Sequence, residues 1–597
     1  MNFIKKIVCM LFIILGIFVL ITEEDAVASM NTKEIINGII QWKKSAENLS
    51  DSEPLLSNGF LENAGSTSVD WYVLGMGRAG IVDQYPAYEA IINDVVEKKY
   101  ETANKLSEMK ATEWHRISLA YLAAGGNPTA VGNEKINLIQ DGVYDRGLTM
   151  AIDAQGLNGV IWGLLTLDSM RYKTPSYANE TREDLLEKIV SKQLDDGGFS
   201  LQAKTSEIDL TAMAIQALAP YYNDETNYNG KTIRQIIDEA LRFIQQQQQP
   251  SGTFSTGDDE NLESTAQVVV ALTALGINVE TNKAYIKNGN TAIDGMKKFL
   301  QTDGGFIHSK KYNEDNPTSL PDQSNTMATE QALYAFVALL RQQQNARTLY
   351  DFRDEQSEEV KEQIAAIEQA IDDIASEESA KQALTMYKKL AIEEHSYVKN
   401  YAELAAYLDE YKIKNDSQNL VLAMSQNTTA TMKPVQLMTN KRQQLQTKLS
   451  KEELAKVHQL PKEISTKDYV EITTLLQRLE PSQKEERQIV QQRKEEIEKL
   501  QDEIKQLNEK ILEDLYPFSK LTLEDANQVE LIVARYNKLP AYDQQQIVSA
   551  KDIEKSLEQM KTLKTQRIIK YIILGLLVIT VSVFIILRIK RKGQHSE

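Results

Sequence analysis

Apolar and polar positions along the first 345 residues fall into helical blocks of two kinds. One kind is apolar on nearly every face and rich in Ala, Gly, Leu and Val: Asp70–Met76, Glu113–Leu119, Asn158–Leu164, Ile208–Leu218, Leu262–Leu272 and Asn325–Ala332. The other kind, such as Arg182–Lys192 and Ile233–Gln246, carries a single apolar stripe. A helix that is apolar all round is buried, and one with a stripe covers a core. The pattern predicts six inner helices sheathed by amphipathic outer ones. A repeated turn joins the two kinds. Gln193-Leu194-Asp195-Asp196-Gly197-Gly198-Phe199, Gln248-Gln249-Pro250-Ser251-Gly252-Thr253-Phe254 and Gln301-Thr302-Asp303-Gly304-Gly305-Phe306 each lead into an apolar helix, at Phe-to-Phe spacings of 55 and 52 residues. Such a period fits two helices and two loops. The count of six favours a closed ring over an open solenoid. The glycines sit where the chain reverses and positive φ is needed.

Beyond residue 345 glycine becomes rare and Glu, Lys, Gln and Leu dominate. Ile489, Val490, Ile497, Leu500, Ile504 and Leu507 keep a helical stripe, so Glu485–Ile511 is expected to form a coiled-coil section. Residues 346–566 are read as a helical stalk, acting as a spacer or as a partner-binding arm. The two ends suggest an address. Lys5 and Lys6 precede an apolar run and the small residues Ala26-Val27-Ala28, a signal-peptide pattern over residues 1–28. Tyr571–Leu587 holds no charge and is followed by Arg588, Lys590, Arg591 and Lys592. Residues 567–589 are therefore expected to be one transmembrane helix, with residues 590–597 as a cytoplasmic basic tail and the rest outside.

Charge and cysteine content remove whole classes of function. The chain carries 67 Lys and Arg against 85 Asp and Glu, a net charge of −18, which argues against a nucleic-acid partner. The one cysteine, Cys9, lies in the signal segment, so cysteine-based zinc sites, thioesters and disulfides are not expected in the rest. An exported protein without disulfides relies on core burial. This combination suits a Gram-positive surface protein.

The Q-x-x-x-G-x-[FW] turns, each followed by a [DE]-x-T-A helix as in Asp209-Leu210-Thr211-Ala212 and Glu263-Ser264-Thr265-Ala266, resemble the prenyltransferase and squalene-cyclase repeat. That resemblance implies an all-α fold: an α6/α6 toroid over residues 29–345, here followed by the helical stalk and the C-terminal transmembrane helix. Asp70-Trp71, Gln155-Gly156-Leu157-Asn158-Gly159, Asp168-Ser169, Asp196-Gly197-Gly198-Phe199, Ile208–Ala214 and Glu263–Gln267 look most like exported bacterial toroid proteins related to the cobalamin carriers transcobalamin and intrinsic factor.

In that alignment Asp70, Glu113, Asn158, Asp209 and Glu263 share one position near the start of an inner helix, and would ring one mouth of the barrel. They can cap helices there, contact a ligand, or do both. Together with Trp71, Trp114 and Trp162 they are the candidate ligand-binding residues. The carrier likeness makes capture of a bulky ligand such as a corrinoid, without catalysis and for hand-over to a surface or uptake partner protein, the leading expectation. No cofactor is expected to be covalently bound, and no metal site is expected. The alternative is a terpene-cyclase or prenyltransferase-like enzyme with Asp209 as general acid and Glu263 as its carboxylate partner. Squalene-type cyclases carry D-x-D-D-T-A, of which this chain keeps the middle Asp as Asp209 but has Glu207 and Leu210 on either side. A surface adhesion or structural role is the second alternative.

Overall fold

The computed structural model describes residues 30–593 apart from 148, 202–203, 258, 313–318, 418, 427–448, 450, 462–463, 481, 516–520 and 548–549. The expected signal segment lies outside these residues. The chain divides into two compact units, Met1–Leu445 and Gln446–Glu597.

In the first unit the inner helices are α2 (Thr67–Ala79), α4 (Thr112–Ala124), α5 (Leu157–Asp168), α7 (Ile208–Leu218), α9 (Leu262–Ala274) and α11 (Thr326–Gln343), and each packs on the next until α11 packs on α2, closing a ring. Outer helices α1 (Thr32–Ala46), α3 (Tyr85–Tyr100), α6 (Arg182–Val190), α8 (Ile233–Gln247) and α10 (Ala292–Lys297) lie against α11, α4, α5, α7 and α9. The sixth outer position holds a single π-helical turn, Gln140–Tyr144, against α4 and α5. Four of the five outer helices start with reciprocal caps: Asn31 with Glu34, Thr181 with Asp184, Thr232 with Gln235 and Thr291 with Asp294. Each pair satisfies free N–H groups at the helix start.

The repeated turn has one geometry three times over. Gly197, Gly252 and Gly304 take φ of 87°, 88° and 89°. Phe199, Phe254 and Phe306, all fully buried, each donate a backbone N–H to a threonine on the following inner helix: Thr211 at 2.8 Å, Thr265 at 3.0 Å and Thr329 at 2.9 Å. The glycines press on the backbone of the next repeat. A Cβ on Gly252 would lie 2.1 Å from the Thr291 carbonyl oxygen. The threonine of the [DE]-x-T-A motif thus fixes the turn to the helix it feeds.

The expected stalk is not one element. Its first part belongs to the toroid's unit. Helices α12 (Glu358–Asp372), α13 (Glu377–Lys389) and α14 (Tyr401–Glu410) enclose their own core of Ile364, Ile367, Ile371, Leu384, Tyr387 and Leu404. This three-helix module is fastened to the ring. Asn223 Nδ2 donates to the carbonyls of His395 (2.6 Å) and Val398 (3.0 Å), and a buried network joins Arg347, Asp351, Arg353 and Glu394.

In the second unit α15 (Lys484–Leu515) is a 32-residue helix. The apolar stripe expected to make a coiled coil is instead buried within the chain: Ile504, Leu507, Ile511 and Leu515 pack with Val529 and Ile532 of α16 (Ala526–Tyr536) and Ile553 and Met560 of α17 (Ala550–Gly593). The apolar run expected to span a membrane falls on α17. Among the described residues no helix is long and apolar enough to cross a membrane, so the expected span is not supported. The side chains of 577, 581–582 and 584–593 are outside the described set; Ile568, Ile572, Leu574, Leu576, Ile579 and Val583 are exposed.

Candidate functional site

The inner helices bring their N-terminal ends to one mouth of the ring, and two clusters form there. The first joins α2 to α4. Asp70 is fully buried, accepts from Gly65 N (2.9 Å) and Tyr88 Oη (2.9 Å), and pairs with Arg116 Nε at 2.9 Å. Arg116 also pairs with Glu113 at 2.7 Å and donates to the Gly65 carbonyl. Every oxygen of this cluster faces a protein donor, so Asp70 and Glu113 serve to lock two helices and a turn.

The second cluster joins α7, α9 and α11. Asp209 accepts a hydrogen bond from Ser264 on one side, while its Oδ1 is buried without a partner. Burial is the main cause that raises its pKa; the Ser264 hydrogen bond opposes the rise, and the charges of Glu263 and Glu207 add to it. Burial thus works against the ionised form of this carboxyl. Glu263 pairs with His308 Nδ1 at 2.7 Å. The hydrogen bond to Glu263 is the main cause that raises the His308 pKa, which favours the imidazolium. Glu330, one turn further along α11 than Met327, is buried with Oε2 unpartnered. Its pKa is pushed well above the usual carboxylate range by burial, against the pull of Lys43 and Arg116. Met327, which the repeat aligns with Asp209 and Glu263, is exposed. Neither Asp209 nor Glu263 caps its helix: α7 makes no side-chain cap, and Asn261 caps α9.

Beneath these carboxyls lies an aromatic floor. Trp71 of α2 and Trp162 of α5 meet at 5.2 Å between ring centroids. Since α2 and α5 are separated by α4 in the ring, this contact reaches across the lumen. Tyr334 of α11 packs on Trp71 at 5.8 Å and Tyr350 on Trp162 at 5.6 Å. The Tyr334 hydroxyl accepts from Gln267 Nε2 (2.6 Å), and the charges of Glu330, Glu263 and Asp209 all act on it. Acid cluster and aromatic floor are therefore neighbours. Trp114 lies apart from both. It is fully buried, donates to Tyr100 Oη at 2.8 Å and carries the Arg146 guanidinium over its ring at 4.7 Å. Asn158 is half-buried with Oδ1 unpartnered. Among the described residues no three His, Cys, Asp or Glu side chains converge as a metal site requires.

The ring, its turns and this mouth define a class. Residues 141–311 and, overlapping, 227–340 match the Prenyltransferase alpha-alpha toroid domain, so the chain carries a toroid of that superfamily. Among individual proteins it is similar to drimenyl diphosphate synthase of Streptomyces showdoensis, 30% identical over 118 residues. The match spans 19% of this chain and 20% of that enzyme. These comparisons support the toroid and a distant terpene-cyclase relation. They do not support the expected relation to cobalamin carriers, and with it the leading expectation of corrinoid capture loses its basis. What the repeat turns and the [DE]-x-T-A helix encode is the toroid frame, which carriers and cyclases share.

Proposed function

We propose that the toroid is a terpene-cyclase-like catalytic domain acting on an isoprenoid, with Asp209 as general acid. One observation carries this reading: a carboxyl with one buried oxygen free of protein partners stands beside an aromatic floor at the mouth of the ring. In the proposed step the Asp209 proton passes to an alkene carbon. The π electron pair forms the new C–H bond, the other alkene carbon becomes a carbocation, and Asp209 is left as carboxylate. The start of α7, the Ser264 hydroxyl and the His308 imidazolium all favour that anion. The faces of Trp71, Trp162 and Tyr334 suit the cation. Glu263 acts by holding His308 rather than by touching substrate. The distant similarity to a drimenyl diphosphate synthase supports the same choice over a non-catalytic binding protein.

The test is product analysis by gas chromatography and mass spectrometry after incubation with farnesyl and geranylgeranyl diphosphate and squalene. A cyclic product is expected, with turnover falling by about 10²–10⁴ in Asp209→Asn, the range for losing a general acid. Cyclisation unchanged by Asp209→Asn, or no conversion of any of the three, would refute the proposal. A membrane address, proposed from the apolar run Tyr571–Leu587, is checked by whether the full chain partitions with membranes and loses that behaviour when residues 567–597 are removed.

A further inference from the structure

The opposite end of the ring, where the inner helices finish, holds a chamber that the Asp209 reading does not use. It is a cavity of about 450 Å³, within the range that holds small ligands. The ends of α5, α7, α9 and α11 form its base and α12 its roof. Small residues leave the room: Ala217, Ala274, Gly276 and Ala338 at the base stand opposite Ile364 and Ala365 of the roof. Protein interiors seldom leave voids larger than a water molecule. Here the module is tied down beside the space, by Asn223 to the carbonyls of His395 and Val398 and by the network of Arg347, Asp351, Arg353 and Glu394, so base and roof are held apart. Tyr350 lines the chamber and packs on Trp162 at 5.6 Å, so one aromatic layer divides it from the acid cluster.

The larger polar side chains of the wall are engaged with the protein itself. Asp168 accepts from Arg182 Nε (2.9 Å) and Tyr221 Oη (2.6 Å), and Asp351 pairs with Arg353 at 2.6 Å. Gln356 donates to Glu394, Gln342 to the Ile277 carbonyl and Gln216 to Gln267. The charge of Arg171 acts on Asp351 and Asp224. The atoms of Arg171, Gln216 and Tyr350 that lack a hydrogen bond are sealed from solvent and do not face the space. A water molecule is held by two to four polar partners, and this wall offers few. An ion would meet carboxylates and guanidinium groups that already have partners. The helix ends gathered at the base also carry the negative ends of their dipoles, which opposes an anion further. Exposed charged groups, Glu362 and Lys399, stand at the outlet to solvent.

We propose that this chamber binds an uncharged molecule that is hydrocarbon over most of its surface, seated between the ring and the three-helix module. Burial of apolar surface supplies the affinity, and a charge brought in without a partner opposes it. A branched isoprenoid and a straight acyl chain share this chemistry. The chamber does not depend on the step proposed for Asp209, which lies beyond the aromatic layer.

The test is fluorescence titration of the full chain with N-phenylnaphthylamine, a neutral probe whose emission rises in apolar surroundings, and with anilinonaphthalene sulfonate, the same skeleton bearing one anion. Saturable one-to-one binding of the neutral probe is expected, roughly tenfold or more tighter than the sulfonate, as the cost of burying an unpaired charge implies. Farnesene and pentadecane should both displace it, and the stronger competitor tells a branched isoprenoid guest from a straight acyl chain. Ala338→Phe fills the space from the ring side, and Ala365→Trp, on the exposed edge of the roof, fills it without touching the core of the ring. Each should weaken binding by about tenfold or more. Sulfonate bound as tightly as the neutral probe, no saturable binding, or full binding retained by either variant while folded would overturn the proposal. Asp209→Asn should not change these affinities, so failure here and failure of the cyclase reading are separate outcomes.

Discussion

Glu330 gives the sharpest test of the electrostatics at the mouth. It is 5% exposed, one carboxyl oxygen has no partner, and the charges of Asp70 and Glu263 push its pKa the same way as burial does. If the folded chain keeps this carboxyl protonated while the unfolded chain ionises near a pKa of about 4.3, the native state holds one more proton than the unfolded state between those two values. Stability then falls as pH rises through that window, by about 1.4 kcal/mol per pH unit. Glu330→Gln keeps the shape and removes the proton. Relative to the unchanged chain it should gain stability on going from pH 5 to pH 7, whatever constant offset the amide brings. The assay is denaturant unfolding followed by tryptophan fluorescence. All four tryptophans, Trp42, Trp71, Trp114 and Trp162, lie in the first unit, so the signal reports the toroid without the second unit. A difference between the two proteins that is the same at both pH values would mean that Glu330 is ionised in the fold, held by Lys43 and Arg116. Burial would then not be what governs the Glu330 carboxyl.

Two further outcomes follow from the turns and the network. Gly252→Ala should cost about 3 kcal/mol or more, combining left-handed strain with a 2.1 Å approach to the Thr291 carbonyl, whereas Gly257→Ala, at φ 63° in open space, should cost only about 1 kcal/mol; equal unfolding midpoints for the two variants would refute the repeat-packing account. Asp351→Ala should cost about 3–5 kcal/mol, since it leaves Arg347 and Arg353 sharing Glu394. Burial acts against the Asp351 carboxylate, but Arg353 holds its pKa far below the usual range, so its contribution is complete above pH of about 4 and lost as pH falls. The unfolding midpoint of the variant should depend less on pH in acid.

The ring was legible because its signals are local. Gln193, Gly197, Phe199 and Thr211 lie within 19 residues, and the set recurs over 248–265 and, with a longer loop before the threonine, over 301–329. The site was legible only in part. Asp209, Glu263, Trp71 and Trp162 come together, but Asp70 and Glu113 are absorbed by Arg116, a residue no repeat singles out. Glu330 was missed because the sixth helix presents its carboxyl one turn later, at three residues past Met327; counting one helical turn along that block is the signal that could have found it. His308 meets Glu263 across 45 residues, a pairing that spacing alone does not mark. The place of residues 346–424 was hidden for the same reason. Asn223 reaches His395 across 172 residues, and the amphipathic stripes of α12 to α14 say that a core exists, not what stands beside it. The apolar stripe of α15 is likewise equally compatible with a partner helix and with its own chain.

Closure of the ring also sets an order of events. α11 packs on both α1 and α2, Lys297 Nζ donates to the Met30 carbonyl at 2.9 Å, and Trp42 Nε1 reaches Asp303 Oδ2 across 261 residues. During synthesis the first helices therefore wait for the last. Until residue 343 has emerged, α2 has one flank uncovered and no local partner can replace α11. Contacts of such long sequence separation are made late and slowly. The first half of this chain should consequently spend its synthesis time as an open arc, dependent on chaperones or on delayed folding. A truncation anywhere before α11 should yield an aggregating chain rather than a smaller ring.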